Sequence, residues 1–258
     1  MNKKIFYFVC LLIYITSACG QSLKIATINL WHYPNEFSKR LNSFLLEDHN
    51  FNIDIYAFQE AWTIGNKSIY KMFLKKKGYY DCYFRTNRFP FFEEGLAVVS
   101  KYPIINCQSY ELPMLRSTKR RKIIIAEVLT NLGKIIIVNV HLSPFENNHN
   151  ERVAQIQNVA DRVADLVSRE KTIIVGDFNE PYSNTFFQEL FDLGFINVID
   201  ENTCTYCKNN PYSDKLYDSS LDNIFYNNTK FKLKASKIIF DHNAVSDHYG
   251  LFLEVSNF

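Results

Sequence analysis

Ten apolar or alternating runs, rich in Ile, Val, Phe and Tyr, recur along this chain, and they constrain its fold more than any other feature. They read "LKIATINL", "IDIYAFQE", "YDCYFRT", "GLAVVSKYPI", "KIIIAEVLT", "GKIIIVNVHL", "KTIIVGDFN", "LDNIFYN", "FKLKASKIIF" and "GLFLEVS". Short runs of this kind, bounded by turn residues, are strand signals. Helical spacing appears between them: Phe37, Leu41, Phe44 and Leu45 share one face, and Val153, Ile156, Val159, Val163 and Leu166 share another. "NTFFQELFDLG" closes on a glycine suited to a helix C-cap. Strands and helices in mixed order must be layered to bury their apolar faces. Two sheets packed face to face, each covered outside by helices, would bury this many strands.

The chain has the material for such a core. It has 258 residues, 47% hydrophobic and 16% aromatic, so a large interior is available and disorder is excluded. One domain over residues 21–258 is expected. A formal charge of +2 weakens any reading that requires strong electrostatic capture of nucleic acid. The dense basic run "RSTKRRK", residues 116–122, reads as a solvated strand–loop face, with contact to a phosphate backbone as its alternative.

The first twenty residues read as a sorting signal. Lys3 and Lys4 precede the apolar "IFYFVCLLIYI", and "TSACGQ" supplies small residues at a cleavable end. Two processing outcomes stay open: lipidation of Cys19 in a lipobox-like "TSAC", or ordinary cleavage after Ala18 or Gly20. Either places the mature chain outside the cytoplasm, secreted or lipid-anchored to the envelope. Cys82, Cys107, Cys204 and Cys207 then remain in a disulfide-permissive setting. "CTYC" is either a local disulfide or two free thiols, and Cys82 and Cys107, on neighbouring expected strands, could also pair.

Polar residues fall at the ends of the apolar runs. Asn29 ends the first, Glu60 the second and His141 the "IIIVNVHL" run; Asp177 and Asn179 end "IIVGDFN", and Asp247 with His248 precedes the last. Singly, Asn29 reads as a turn residue, Glu60 as a surface acid and His141 as a satisfied core histidine. Together, converging strand ends would line one cleft with oxygen ligands and two imidazoles. Carboxylate and amide oxygens suit magnesium, with manganese an alternative, and a carboxylate-held histidine suits a general base. The chemistry implied is hydrolysis of a phosphate ester by an activated water.

In that order, "TINLW", "FQEAW", "GLAVVSKYPI", "VNVHL", "VGDFNEP", "LDNIFY" and "SDHYGL" resemble the motif series of the endonuclease/exonuclease/phosphatase superfamily. The resemblance covers nearly all of the chain after the leader. It implies an α+β, four-layer α/β/β/α sandwich with two mixed sheets, and a divalent-metal phosphodiesterase. By motif, Glu60 resembles the principal metal ligand, with Asn29 beside it and Asp247 in the metal site or supporting the catalytic ring. Asp177 resembles the residue that orients the attacking water or helps hold metal, Asn179 and His141 the donors to phosphate, and His248 the general base. Asp222 matches a buried acid steadying a catalytic histidine, either of the two. The Trp residues after Asn29 and Glu60, with "SKYPI" and "ERVAQ", are similar to neutral sphingomyelinases, which implies a phospholipid substrate. "RFPFFEEG", expected as a loop, clusters Phe89, Phe91 and Phe92 either as a lip that touches a membrane surface or as packing under the sheet. A secreted nuclease is the alternative, and a monomer is expected.

Overall fold

A computed structural model describes residues 21–258; the leader expected over residues 1–20 lies outside the described residues. One seven-stranded sheet contains β1 (Ser22–Asn29), β2 (Ile55–Gln59), β3 (Thr63–Ile64), β4 (Tyr80–Phe89), β5 (Phe92–Ser100), β12 (Phe231–Ile239) and β13 (Gly250–Asn257). Its order is β12-β13-β1-β2-β5-β3, with β4 also paired to β5. The second, six-stranded sheet contains β6 (Ile104–Glu111), β7 (Lys122–Thr130), β8 (Gly133–His141), β9 (Lys171–Asp177), β10 (Phe195–Asn197) and β11 (Asp222–Asn227), in the order β10-β11-β9-β8-β7-β6.

Each sheet contains one parallel pair, β1–β2 and β8–β9. A parallel pair needs a crossover, and a helix supplies it in both: α1 (Phe37–Phe51) in the first and α3 (His149–Arg169) in the second. The shorter α2 (Ile69–Lys77) and α4 (Gln188–Asp192) complete the outer layers. Three apolar layers result. Ile25, Ala57, Val98, Ile137, Val175 and Leu253 meet between the sheets; α1 and α2 bury Phe44 and Phe73 on one outer face, and α3 and α4 bury Val159, Val163 and Leu190 on the other. This is the α+β four-layer sandwich expected. Phe44 is fully buried and meets the rings of Tyr56, Phe58, Phe73 and Phe240, so truncation to alanine would cost about 3–5 kcal/mol.

Two devices hold the sheets in register near the strand ends that matter. Asn139 on β8 donates to the backbone carbonyls of Phe58 and Ala97, both at 3.0 Å, and accepts from Gln59 Nε2 at 2.6 Å. The buried amide thus ties three strands across the sheet interface, and leaving those carbonyls unpaired would cost about 1–3 kcal/mol each. Gly176 lets β9 approach β8: its φ is +146°, and a Cβ there would meet the Val140 carbonyl oxygen at 2.0 Å.

Several elements differ from the sequence reading. β3, β6, β10 and α2 were not among the expected runs. β6 is half-exposed and polar at an edge, so it shows no apolar alternation. α2 is a short lysine-rich helix capped by Ser68, whose side chain accepts from Lys71 N. Cys82 and Cys107 are disulfide-bonded, yet they lie on β4 and β6, in different sheets rather than on neighbouring strands, so the bond ties the two layers together. Cys204 and Cys207 are also joined. "RFPFFEEG" is a hairpin between β4 and β5 rather than a loop, with Phe91 at its tip, 91% exposed and at φ 64°.

Candidate active site

The two parallel pairs end at one side of the sandwich, and every expected site residue falls at or near those ends. Asn29 closes β1 opposite Gln59, which places Glu60 just beyond β2. In the other sheet, Asp177 is flanked in register by His141 on β8 and Asp222 on β11. Asp247 and His248 come from the turn before β13. Backbone strain collects here: Trp31, Glu60 and Asn179 adopt left-handed φ values of 48°, 47° and 51°. Such conformations cost non-glycine residues about 1–2 kcal/mol each and persist only where the surroundings impose them.

Asp177 is the hub. Its Oδ2 accepts from Asn29 Nδ2 at 3.0 Å, lies 3.5 Å from His141 Nε2 and 4.0 Å from His248 Nε2. Its Oδ1 accepts the Asn179 backbone N–H at 2.8 Å. On the far side of His248, Nδ1 is 2.7 Å from Asp222 Oδ2, and the Tyr206 ring packs on the imidazole with centroids 4.6 Å apart. This settles the pairing left open by the sequence: Asp222 holds His248, not His141. The CTYC loop supports the arrangement, because the Thr205 hydroxyl accepts the backbone N–H groups of Leu221 and Asp222 while its carbonyl accepts that of Tyr249.

The two histidines are driven in opposite directions. Burial works against a charge on His248, yet the carboxylates of Asp222 and Asp177 hold its pKa well above the usual value. Burial and then the Arg121 guanidinium push His141 well below it. Burial raises Asp177 to about 7, with His248 opposing and Asp222 adding to the shift. Burial also raises Asp247 to about 6. The carboxylates on either side of His248 thus favour its charged form, whereas the surroundings of His141 favour the neutral one.

Glu60 sits in company the sequence did not reveal. His32 donates its backbone N–H to Glu60 Oε2 at 3.0 Å, its Nδ1 lies 2.5 Å from the same oxygen, and Glu94 Oε2 is 3.2 Å from that Nδ1. One ligand atom from each of His32, Glu60 and Glu94 falls within 4.8 Å of the others. Burial opposes the Glu60 charge, but His32, His141 and Arg121 hold its carboxyl far below the usual range; burial and the Glu60 charge push Glu94 up. Two carboxylates crowded in a buried corner suit a divalent cation. Asp247 lies outside this cluster, accepting from the Ser246 hydroxyl at 3.0 Å while feeling the Glu60 charge, and Asn29 is engaged with Asp177. Arg40, fully buried, ties the flanking loops by donating to the carbonyls of Leu30, Trp31, Tyr33 and Val245.

Arg121 is the other residue that the sequence reading missed. Expected on a solvated face, it is only 4% exposed, and its Nη1 lies 3.3 Å from His141 Nδ1. Its neighbours Arg116, Thr118 and Arg120 are exposed as expected, and nothing in one sequence separates Arg121 from Arg120. His32 could have been noticed, three residues past a strand-ending Asn29 and in a segment that has to turn back across the sheet edge.

Known proteins agree with this architecture. The profile of the Endonuclease/Exonuclease/phosphatase family matches residues 26–248, and the chain belongs to that family. Its members are hydrolases of phosphoester bonds that generally use divalent metals. Among solved structures, a family protein from Leptotrichia buccalis C-1013-b is similar at 20% identity and a TM-score of 0.73, covering 91% of this chain and 99% of its own. The human Nocturnin catalytic domain with bound sulfate shares 15% identity at a TM-score of 0.76, covering 92% and 95%. TDP2 from D. rerio, complexed with a single-strand DNA product, shares 17% at 0.70, covering 92% and 99%. No curated protein matches the chain.

Proposed function

We propose that this chain is a magnesium-dependent phosphodiesterase that hydrolyses its ester by in-line attack of water. The observation that carries this reading is the Asp177 hub, one carboxylate placed between two imidazoles of opposite character and 2.8 Å from the Asn179 backbone N–H. Water between Asp177 and His248 loses its proton to that pair, while Asp222 and Tyr206 keep the His248 ring in place. His141 and Asn179 donate to the non-bridging phosphoryl oxygens. Asn179 Nδ2 already uses one hydrogen on the Leu142 carbonyl at 3.1 Å, which aims the amide and leaves its second hydrogen for substrate. Glu60, with Asn29, Asp247, His32 and Glu94 around it, would hold the magnesium or manganese ion. When bound, that ion supplies charge neutralisation at the phosphate and leaving oxygen.

For the substrate, the reading is a phospholipid of the sphingomyelin type, cleaved outside the cytoplasm by a secreted or envelope-anchored monomer whose leader ends near residue 20. The exposed Phe91 at the hairpin tip, three residues from Glu94, supports contact with a lipid surface; the two disulfides support an oxidising compartment. A second reading, a nuclease, draws on the cleft beside His248, where Phe145, Tyr206 and Tyr217 stand with Lys215. Aromatic faces with a cation suit stacked bases and phosphate, and the TDP2 relative was captured with a DNA product. Release of phosphocholine from sphingomyelin vesicles, abolished by chelation and in H248A, is the expected result. Cleavage of plasmid DNA with none of vesicles would replace the lipid reading by the nuclease, and turnover of neither would remove the phosphodiesterase itself.

A further inference from the structure

A buried arginine with no carboxylate in contact needs an explanation. Arg121 is 4% exposed, it forms no ion pair within 4 Å among the described residues, and its Nε has no hydrogen-bond partner. The contact it does make is on an imidazole nitrogen: Nη1 lies 3.3 Å from His141 Nδ1. A guanidinium carries N–H donors and no acceptor. The contact is therefore a hydrogen bond only if His141 Nδ1 is bare, and a neutral imidazole bare at Nδ1 carries its hydrogen on Nε2. Nε2 is the nitrogen that faces the hub, 3.5 Å from Asp177 Oδ2.

We infer that Arg121 is a positioning residue that fixes His141 as its Nε2–H tautomer and so aims a donor, rather than a bare lone pair, at the phosphoryl oxygen. The inference rests on the proposed role of His141 but reaches past it, because it names the group that sets the ring's hydrogen. The alternative partner for a ring nitrogen, a carboxylate or carbonyl, would put the hydrogen on Nδ1 and leave Nε2 as an acceptor, which repels a phosphate oxygen. His248 has that opposite arrangement, with Asp222 on Nδ1. A single cation in place of an anion thus gives two otherwise similar histidines different work. Arg121 itself is held by the loop ahead of β7. Glu151 on α3 accepts three consecutive backbone N–H groups there, from Leu115, Arg116 and Ser117, at 2.9, 2.7 and 2.9 Å.

The test is spectroscopic first. Long-range proton–nitrogen correlation spectra of the ¹⁵N-histidine-labelled, chelator-treated protein, with His141 assigned by its loss in H141A, should show Nδ1 unprotonated and Nε2 protonated. A hydrogen on Nδ1, or a doubly protonated ring at neutral pH, overturns the inference whether or not the protein hydrolyses any ester. In R121K, where an ammonium can still donate, the same pattern should persist with kcat within about tenfold of wild type; in R121M it should be lost, with kcat falling about 10- to 100-fold at nearly unchanged KM. Because Arg121 acts through His141, adding R121M to H141A should lower kcat no further; a further fall of tenfold or more means Arg121 acts on the substrate by itself and overturns the inference. Should R121M not fold, the wild-type spectrum and R121K decide the matter.

Discussion

His141 and His248 lie on opposite sides of one carboxylate, with Nε2 atoms 3.5 and 4.0 Å from Asp177 Oδ2, and both rings are buried. What differs is the partner behind each: a guanidinium for His141, the Asp222 carboxylate for His248. Burial alone would keep both neutral. The charge behind the ring decides which one favours the charged form and which one stays neutral. The comparison teaches that the residue type at a strand end states what chemistry is available, whereas the group behind it states which half of that chemistry is used.

The largest expected effects come from removing the rings. H248A should lower kcat by about 10⁴-fold and H141A by about 10²-fold, measured on any ester the enzyme turns over; equal losses, or the reverse order, would break the comparison. D222N removes the charge behind His248 and should cost about 10²-fold in kcat with a shift of the acid limb of the pH–rate profile; an unchanged profile would mean that Asp222 only packs the ring.

Stability against pH separates the same pair. In chelator, His248 has a raised folded pKa, so its contribution is complete below the unfolded value of about 6.5 and is lost as pH rises toward the folded one. His141 has a depressed folded pKa, so its contribution is complete above about 6.5 and is lost as pH falls toward the folded one. Each limb carries at most about 1.4 kcal/mol per pH unit. Urea titrations should therefore show H248Q flattening the alkaline limb and H141Q the acid limb. The smallest effect is expected from E151Q, which weakens the anchor of the Arg121 loop: about 1 kcal/mol of stability and less than tenfold in kcat, the His141 tautomer unchanged.

The legible part of the molecule was the part written in periodicity. Apolar strands announced the sandwich because buried strands show as Ile and Val runs, and the helical faces of α1 and α3 follow from spacing alone. Elements that bury little, such as β6 and α2, left no such trace. The strand-end residues were legible for the same reason as the strands: Asn29, Glu60, His141 and Asp177 each stop an apolar run. Glu94 and Arg121 were not: Glu94 sits within β5 beside Glu93 and Arg121 in the loop ahead of β7, and only tertiary contacts separate either from its neighbour. Arg121 shows the difference sharply, being chemically identical to the exposed Arg120 beside it and separated from it only by where the chain turns inward.

The left-handed backbone at Glu60 sets two selection pressures against each other. Glycine adopts that conformation freely, so E60G should release about 1 kcal/mol of strain while deleting a carboxylate from the metal corner. A library of variants enriched for heat resistance alone would therefore drift toward glycine at position 60 and fill with robust, inactive proteins. Only a screen that counts turnover alongside survival would keep the acid.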